Sequence, residues 1–127
     1  MTETNIKNAR IESTTLGFED HGIFTYWVML DFGGSGQGFG GYGLDEPRTD
    51  GAGKYLGRRG TVYGCDAIIR LLEVLGVESW EKLKGTPVRV KGGGLFGNTA
   101  IEAIGHYLKD EWLNLKTLAQ EHKGVAE

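Results

Sequence analysis

The eleven residues from Gly33 to Gly43, Gly-Gly-Ser-Gly-Gln-Gly-Phe-Gly-Gly-Tyr-Gly, hold seven of the chain's 22 glycines and follow directly on its most strand-like segment, Phe24 to Phe32. Inside a regular element each glycine costs roughly 0.5–1 kcal/mol relative to alanine. A chain that keeps so many needs bare backbone there, either for bends with positive φ or for close approach to a ligand or a neighbouring chain. Gly36, Gly38 and Gly41 satisfy G-x-G-x-x-G. A dinucleotide fingerprint must open a helix, however, and Tyr42 to Pro47 reads as strand and loop. A kinase-type glycine hairpin lacks the rest of the kinase set and the length for that fold. Gly51-Ala52-Gly53-Lys54 fails as a Walker loop, because Tyr55 follows the lysine and Arg48 stands where the first glycine belongs. Two readings of the tract remain: a hairpin that lets strands twist and pack closely, or a ligand-facing loop.

With 127 residues, 39% of them hydrophobic, the chain is read as one domain spanning residues 1–127 around a single core. Its net charge of −3 argues against binding to long nucleic acid or to an anionic membrane. The charge is unevenly spread. Met1 to Glu46 holds seven acids against Lys7 and Arg10, whereas Arg48 to Arg59 holds Arg48, Lys54, Arg58 and Arg59 against Asp50. An acidic protein with one basic loop suits a small anionic ligand. The single cysteine, Cys65, excludes an internal disulfide and a cysteine-rich zinc site. No run approaches the ~18 apolar residues of a membrane span, and Met1-Thr2-Glu3-Thr4 lacks the features of a signal peptide. The expectation is a soluble, cytoplasmic protein.

Hydrophobic periodicity predicts an α+β fold, a mostly antiparallel β-sheet with one main packed helix and a C-terminal helix. Asn5 to Phe18 and Ile23 to Phe32 form a hairpin around Glu19-Asp20-His21-Gly22. On the second strand Phe24, Tyr26, Val28, Leu30 and Phe32 share one face. Thr25, Trp27, Met29 and Asp31 share the other, so both faces are expected to meet a layer. Gln37 to Leu44 is the next strand, and Asp45 to Gly60 is a long aperiodic loop of the kind that carries function. Val62 to Leu75 is a helix with Ile68, Leu71, Leu72 and Leu75 on one face, Thr61 as N-cap and Gly76 as C-terminal stop. Cys65, Ile69 and Val74 widen its apolar stripe, which predicts packing on two sides and a buried, inert Cys65. Ser79 to Lys84 is a short helix with Trp80 and Leu83 inward, and Thr86 to Lys91 and Thr99 to Tyr107 are strands. Asp110 to His122 is a helix with Trp112, Leu115, Leu118 and Ala119 on one face.

Arg58-Arg59, bounded by Gly57 and Gly60, reads as two guanidiniums on flexible hinges, suited to fork onto phosphate oxygens, or as two solvated surface charges. The backbone from Gly34 to Gly38, with Gly36 and Gln37 between them, can approach a phosphate, and Tyr42 or Phe96 can stack on a base. Phe96 at its glycine-flanked turn can equally plug the core or a subunit contact. Asn98 can read an adenine edge or cap its own turn. His21, His106 and His122 are too scattered for a metal motif, and none stands in a nucleophile turn. The one enzymatic constellation is a metal site built from Glu12, Glu19, Asp20 and Asp31 for phosphodiester hydrolysis. The same acids also serve to solubilise a hairpin and block edge pairing.

Three strings carry a family resemblance: Ala9-Arg10-Ile11-Glu12-Ser13-Thr14, Leu16-Gly17-Phe18-Glu19-Asp20-His21-Gly22-Ile23, and Gly33-Gly34-Ser35-Gly36-Gln37-Gly38-Phe39-Gly40-Gly41-Tyr42. With Leu72 to Glu81 and Ala103 to His106, the chain resembles phage-encoded anti-Thoeris proteins of the first type. The likeness spans nearly the whole length apart from residues 47–56 and 92–98. It implies a sponge that binds a cyclic ADP-ribose isomer made by TIR-domain enzymes and holds it uncleaved, with no cofactor and no catalytic residues. It also implies a homo-oligomer, dimeric or hexameric, with pockets between protomers, and some members hold cyclic oligonucleotides at a second site. The alternatives are a metal-dependent phosphodiesterase acting on the same signals and a protein–protein inhibitor using Trp27 and Trp112.

Overall fold

A computed structural model describes residues 6–92 and 101–125. Its elements, in chain order, are strands β1 (Ile6–Glu19), β2 (Ile23–Asp31), β3 (Gly36–Gly40), β4 (Asp45–Thr49) and β5 (Tyr55–Gly60), helix α1 (Val62–Leu75), strands β6 (Pro87–Lys91), β7 (Ala103–His106) and β8 (Trp112–Leu113), and helix α2 (Leu115–Val125). The fold is α+β, as the periodicity predicts. Six strands form one antiparallel sheet in the order β3-β2-β1-β6-β7-β8, and β4 and β5 form a separate ribbon.

The β1–β2 hairpin anchors the sheet. Its turn is the short 3₁₀ segment Asp20–Gly22, in which His21 takes a φ of 64°. A bulge between Ile11 and Ser13 inserts Glu12, which reverses the side-chain alternation. Ile11 faces the core before it and Thr14, Leu16 and Phe18 lie on that same side after it. Ala9, Ile11, Tyr26, Val28, Leu30, Val88, Val90 and Ile104 pack from the sheet against Ala67, Leu71 and Val74 of α1 and Leu115 and Leu118 of α2. Both helices therefore cover one face. The buried Tyr26 hydroxyl donates to the Ala67 carbonyl at 3.0 Å and ties β2 to the middle of α1. Burial raises its ionisation well above the ordinary tyrosine range.

Helix α1 starts and stops as its sequence dictates. The Thr61 hydroxyl accepts from the Gly64 N–H at 2.9 Å, and Gly76 closes the helix in the left-handed region. Its apolar stripe is narrower than expected. Ala67, Leu71, Val74 and Leu75 are buried, whereas Cys65 is exposed and Ile69 is 45% exposed. The prediction of a two-sided helix with a buried Cys65 is corrected: the sheet and α2 take one side, and Val62, Cys65 and Ile69 line the other.

The second face of the sheet carries no layer among the described residues. Trp27 instead lies flat on the glycine tract. A Cβ at Gly38 would come 2.9 Å from the Trp27 ring, and one at Gly41 would overlap it. At Gly40 a Cβ would overlap the Tyr26 carbonyl oxygen, and φ there is +128°. Gly38, Gly40 and Gly41 are thus bare because an indole and a neighbouring strand occupy the space side chains would need, whereas Gly33 and Gly34 have open space and positive φ. Trp112 repeats the device at the other end of the sheet, where it lies on Gly105 beneath Arg89 and Lys91. It belongs to the short strand β8 and not to the C-terminal helix, which begins at Leu115. The expected strand from residue 99 is β7 from Ala103 onward, and residues 99 and 100 lie outside the described residues.

The aperiodic segment 45–60 is ordered as a two-stranded ribbon, not a loop. Asp50 nucleates its turn, accepting from the Ala52 and Lys54 N–H groups at 2.8 and 2.9 Å. Hydrophobic alternation is missing because the ribbon stands off the core with both faces largely exposed. At its base the Leu44 N–H donates to the Phe24 carbonyl at 2.8 Å, which stitches the ribbon to the start of β2.

Candidate functional site

The ribbon's base is organised by two carboxylate–guanidinium pairs. Asp45 accepts from Arg58 Nη2 at 2.7 Å and Nε at 2.9 Å, and its Oδ1 also accepts from the Phe24 N–H at 3.2 Å. Glu46, directly opposite Arg59 in the ribbon's register, accepts from Arg59 Nε at 2.9 Å. The two pairs differ in solvation. The side chains of Asp45 and Arg58 are 3% and 24% exposed, those of Glu46 and Arg59 45% and 61%.

These pairs correct the expectation of two guanidiniums on flexible hinges. Arg58 is clamped in a bidentate fork, and as neighbours on a strand the two arginines leave opposite faces of the ribbon. Both still line one cleft of about 240 Å³, together with Phe18, Phe24, Asp45 and Gly60. Phe18 and Phe24 meet edge to face with ring centroids 5.2 Å apart, and Phe18 is 67% exposed. On the other side of Asp45 opens a larger cleft of about 470 Å³, walled by Tyr42, Glu46, Thr61, Tyr63, His122 and Lys123 among others. Here α1 and α2 are held together by His122 and Asp66 at 2.8 Å, by the Tyr63 ring edge-on to His122, and by the Tyr63 hydroxyl donating to the Leu115 carbonyl. Burial, with Tyr42 nearby, pushes the Tyr63 hydroxyl up to about 12.

The structure brings some of the expected site residues together and separates others. Arg58 and Arg59 share the smaller cleft, and Tyr42 lines the larger one. Tyr42 also joins Gln37 in a third cleft of about 280 Å³, with Trp27 and Glu102. Gly34 and Gly36 sit at the β2–β3 turn, beside Asp31. Phe24 and the ribbon base are seven strand residues away, about 23 Å at strand rise. Phe96 and Asn98 lie outside the described residues. The acids proposed for a metal are also split. Glu12 and Asp31 flank the bulge end of the hairpin and Glu19 and Asp20 its turn, again about 23 Å apart by strand rise. Among the described residues no three His, Cys, Asp or Glu side chains converge.

Sequence reasoning missed Asp45, Glu46, Phe18, Phe24, Tyr63 and His122. One signal was present: Asp45-Glu46 and Arg58-Arg59 stand symmetrically about Ala52, in the glycine-containing stretch Asp50 to Lys54, which is the charge pattern of a cross-strand pair.

The hydrogen bonds from Arg58, opposed by desolvation and aided by the Phe24 N–H, hold the Asp45 carboxyl below its ordinary 3.8. A carboxyl depressed on folding stabilises the native state above its unfolded value and loses that contribution as pH falls through the folded value. Acid titration of stability should therefore show a loss below about pH 4. In Asp45→Asn that acid limb should be shallower, and an unchanged limb would remove the ion pair as its cause.

Comparisons with protein-family models, with curated proteins and with solved structures found no match to this chain.

Proposed function

We propose that the protein is a sponge for small nucleotide signals, an anti-Thoeris protein that binds a cyclic ADP-ribose isomer and withholds it, uncleaved, from the defence effector. The observation that carries this reading is the ribbon base, where clamped Arg58 and exposed Arg59 border one aromatic cleft and a second cleft opens across Asp45. The ligand has a pyrophosphate, two riboses and an adenine. The guanidiniums supply charge-assisted donors for the first, and Phe18, Phe24, Tyr42 and Tyr63 supply faces for the last. The larger cleft falls in the size range of small-molecule sites, about 300–1,000 Å³. Sequestration needs tight contacts and no nucleophile.

The reading includes a phage protein at work in the host cytoplasm as a dimer or hexamer, with cyclic oligonucleotides as further ligands. The exposed stripe of Val62, Cys65 and Ile69 along α1 supports self-association. The separated acids of the hairpin favour sequestration over metal-assisted hydrolysis. The test is to incubate the purified protein with nucleotide extract from cells carrying an active TIR-domain cyclase, wash it, denature it and analyse the released material by mass spectrometry. An intact cyclic ADP-ribose isomer is expected. A hydrolysed product would replace the sponge by a phosphodiesterase, and no nucleotide at all would leave a protein–protein inhibitor.

A further inference from the structure

Adjacent acids on one strand ordinarily act alike on an anionic ligand: each repels it. At the ribbon base the geometry gives Asp45 and Glu46 different work. Asp45 fixes Arg58, taking two of the five guanidinium N–H groups through Nε and Nη2, while its Oδ1 also accepts from the Phe24 N–H, which holds the carboxylate in place. Of the three other N–H groups one is engaged by the hydroxyl of exposed Tyr55, which leaves two donors in a plane set by the fork. A donor set held in one orientation binds an anion without first losing rotamer freedom. Glu46 meets Arg59 through a single Nε contact between two well-exposed side chains, an arrangement of little intrinsic stability. An incoming phosphate must take Arg59 from it.

We propose that Asp45 is a positioning residue that strengthens anion binding at the ribbon base by orienting Arg58, whereas Glu46 weakens it by competing for Arg59. This deepens the nucleotide reading and rests on it for the identity of the ligand, but the chemistry recognised is a phosphate or pyrophosphate group. The two carboxylates can thus be told apart by sign. Simple charge removal makes both neutral variants bind anions more tightly. Positioning makes Asp45→Asn bind less tightly, because a carboxamide presents an N–H₂ where Arg58 needs an acceptor, and the fork is released.

The experiment is calorimetric titration of the full chain with inorganic pyrophosphate at constant ionic strength. Asp45→Asn should weaken binding about tenfold and Glu46→Gln should tighten it about threefold. Arg58→Lys, which keeps the charge and the fold but not the fork, should weaken binding like Asp45→Asn and serves if that variant is unstable. Tighter or unchanged binding in Asp45→Asn or in Arg58→Lys overturns the proposal, as does a wild-type protein that does not bind pyrophosphate. The expected pattern with pyrophosphate, combined with no retention of cyclic ADP-ribose isomers, would leave the two carboxylates in these roles and remove the nucleotide reading alone.

Discussion

Gly64→Ala is expected to destabilise the protein by about 2–3 kcal/mol, although alanine is the better helix former by about 1 kcal/mol. The glycine is buried in the first turn of α1, where a Cβ would overlap the Leu44 carbonyl oxygen and press on the Leu44 backbone. That oxygen is not free to move. It accepts from the Thr61 hydroxyl at 3.0 Å, and the same hydroxyl caps the helix by accepting from the Gly64 N–H. Leu44 is itself 2% exposed and leads directly into Asp45. The substitution therefore has to shift the helix start, its cap or the root of the ribbon. For a chain of this size the melting temperature should fall by roughly 6–12 °C. A calorimetric scan checks it, and an unchanged melting temperature would mean that α1 can slide at no cost. Because Thr61, Val62 and Tyr63 wall the larger cleft, the variant should also lose ligand affinity before it loses its fold.

Arg58→Ala is expected to weaken retention of a cyclic ADP-ribose isomer on the order of 10- to 100-fold, and Arg59→Ala by only about threefold. The inequality is the informative part. Arg58 meets the ligand already oriented by Asp45, whereas Arg59 must first leave Glu46, which offsets much of what it contributes. Equilibrium dialysis on both variants, with circular dichroism to establish that each is folded, measures the difference. Equal losses would show the arginines acting as interchangeable charges. No loss in either would move the ligand away from the ribbon base, toward Tyr42 and Gln37 in the cleft at the edge of β3.

Much of the scaffold was legible in the sequence because the signals were local. The alternation of Phe24, Tyr26, Val28 and Leu30, the 3.6-residue period of α1 and its Thr61 and Gly76 caps each follow from neighbouring residues alone. The outer stripe of α1 was misread for a related reason: apolar residues such as Cys65 and Ile69 satisfy the helical period whether or not anything covers them. Trp112 was likewise absorbed into a helical pattern, because a two-residue strand has no period to read.

The site was less legible, since its partners lie far apart in the chain. Phe24 and Asp45 are 21 residues apart, and His122 meets Asp66 across 56. By itself the sequence determined the α+β class, the hairpin, the capped helix and the fact that a glycine tract had to serve close packing or a ligand. Tertiary structure decided what fills the space beside it. Trp27 takes the space over Gly38 and Gly41, and the basic segment becomes a ribbon whose arginines are already engaged by Asp45 and Glu46. The physical reason is that backbone preference and periodicity are properties of a few adjacent residues. Which indole fills a gap, and which carboxylate reaches a guanidinium, is settled only when the strands have found their register.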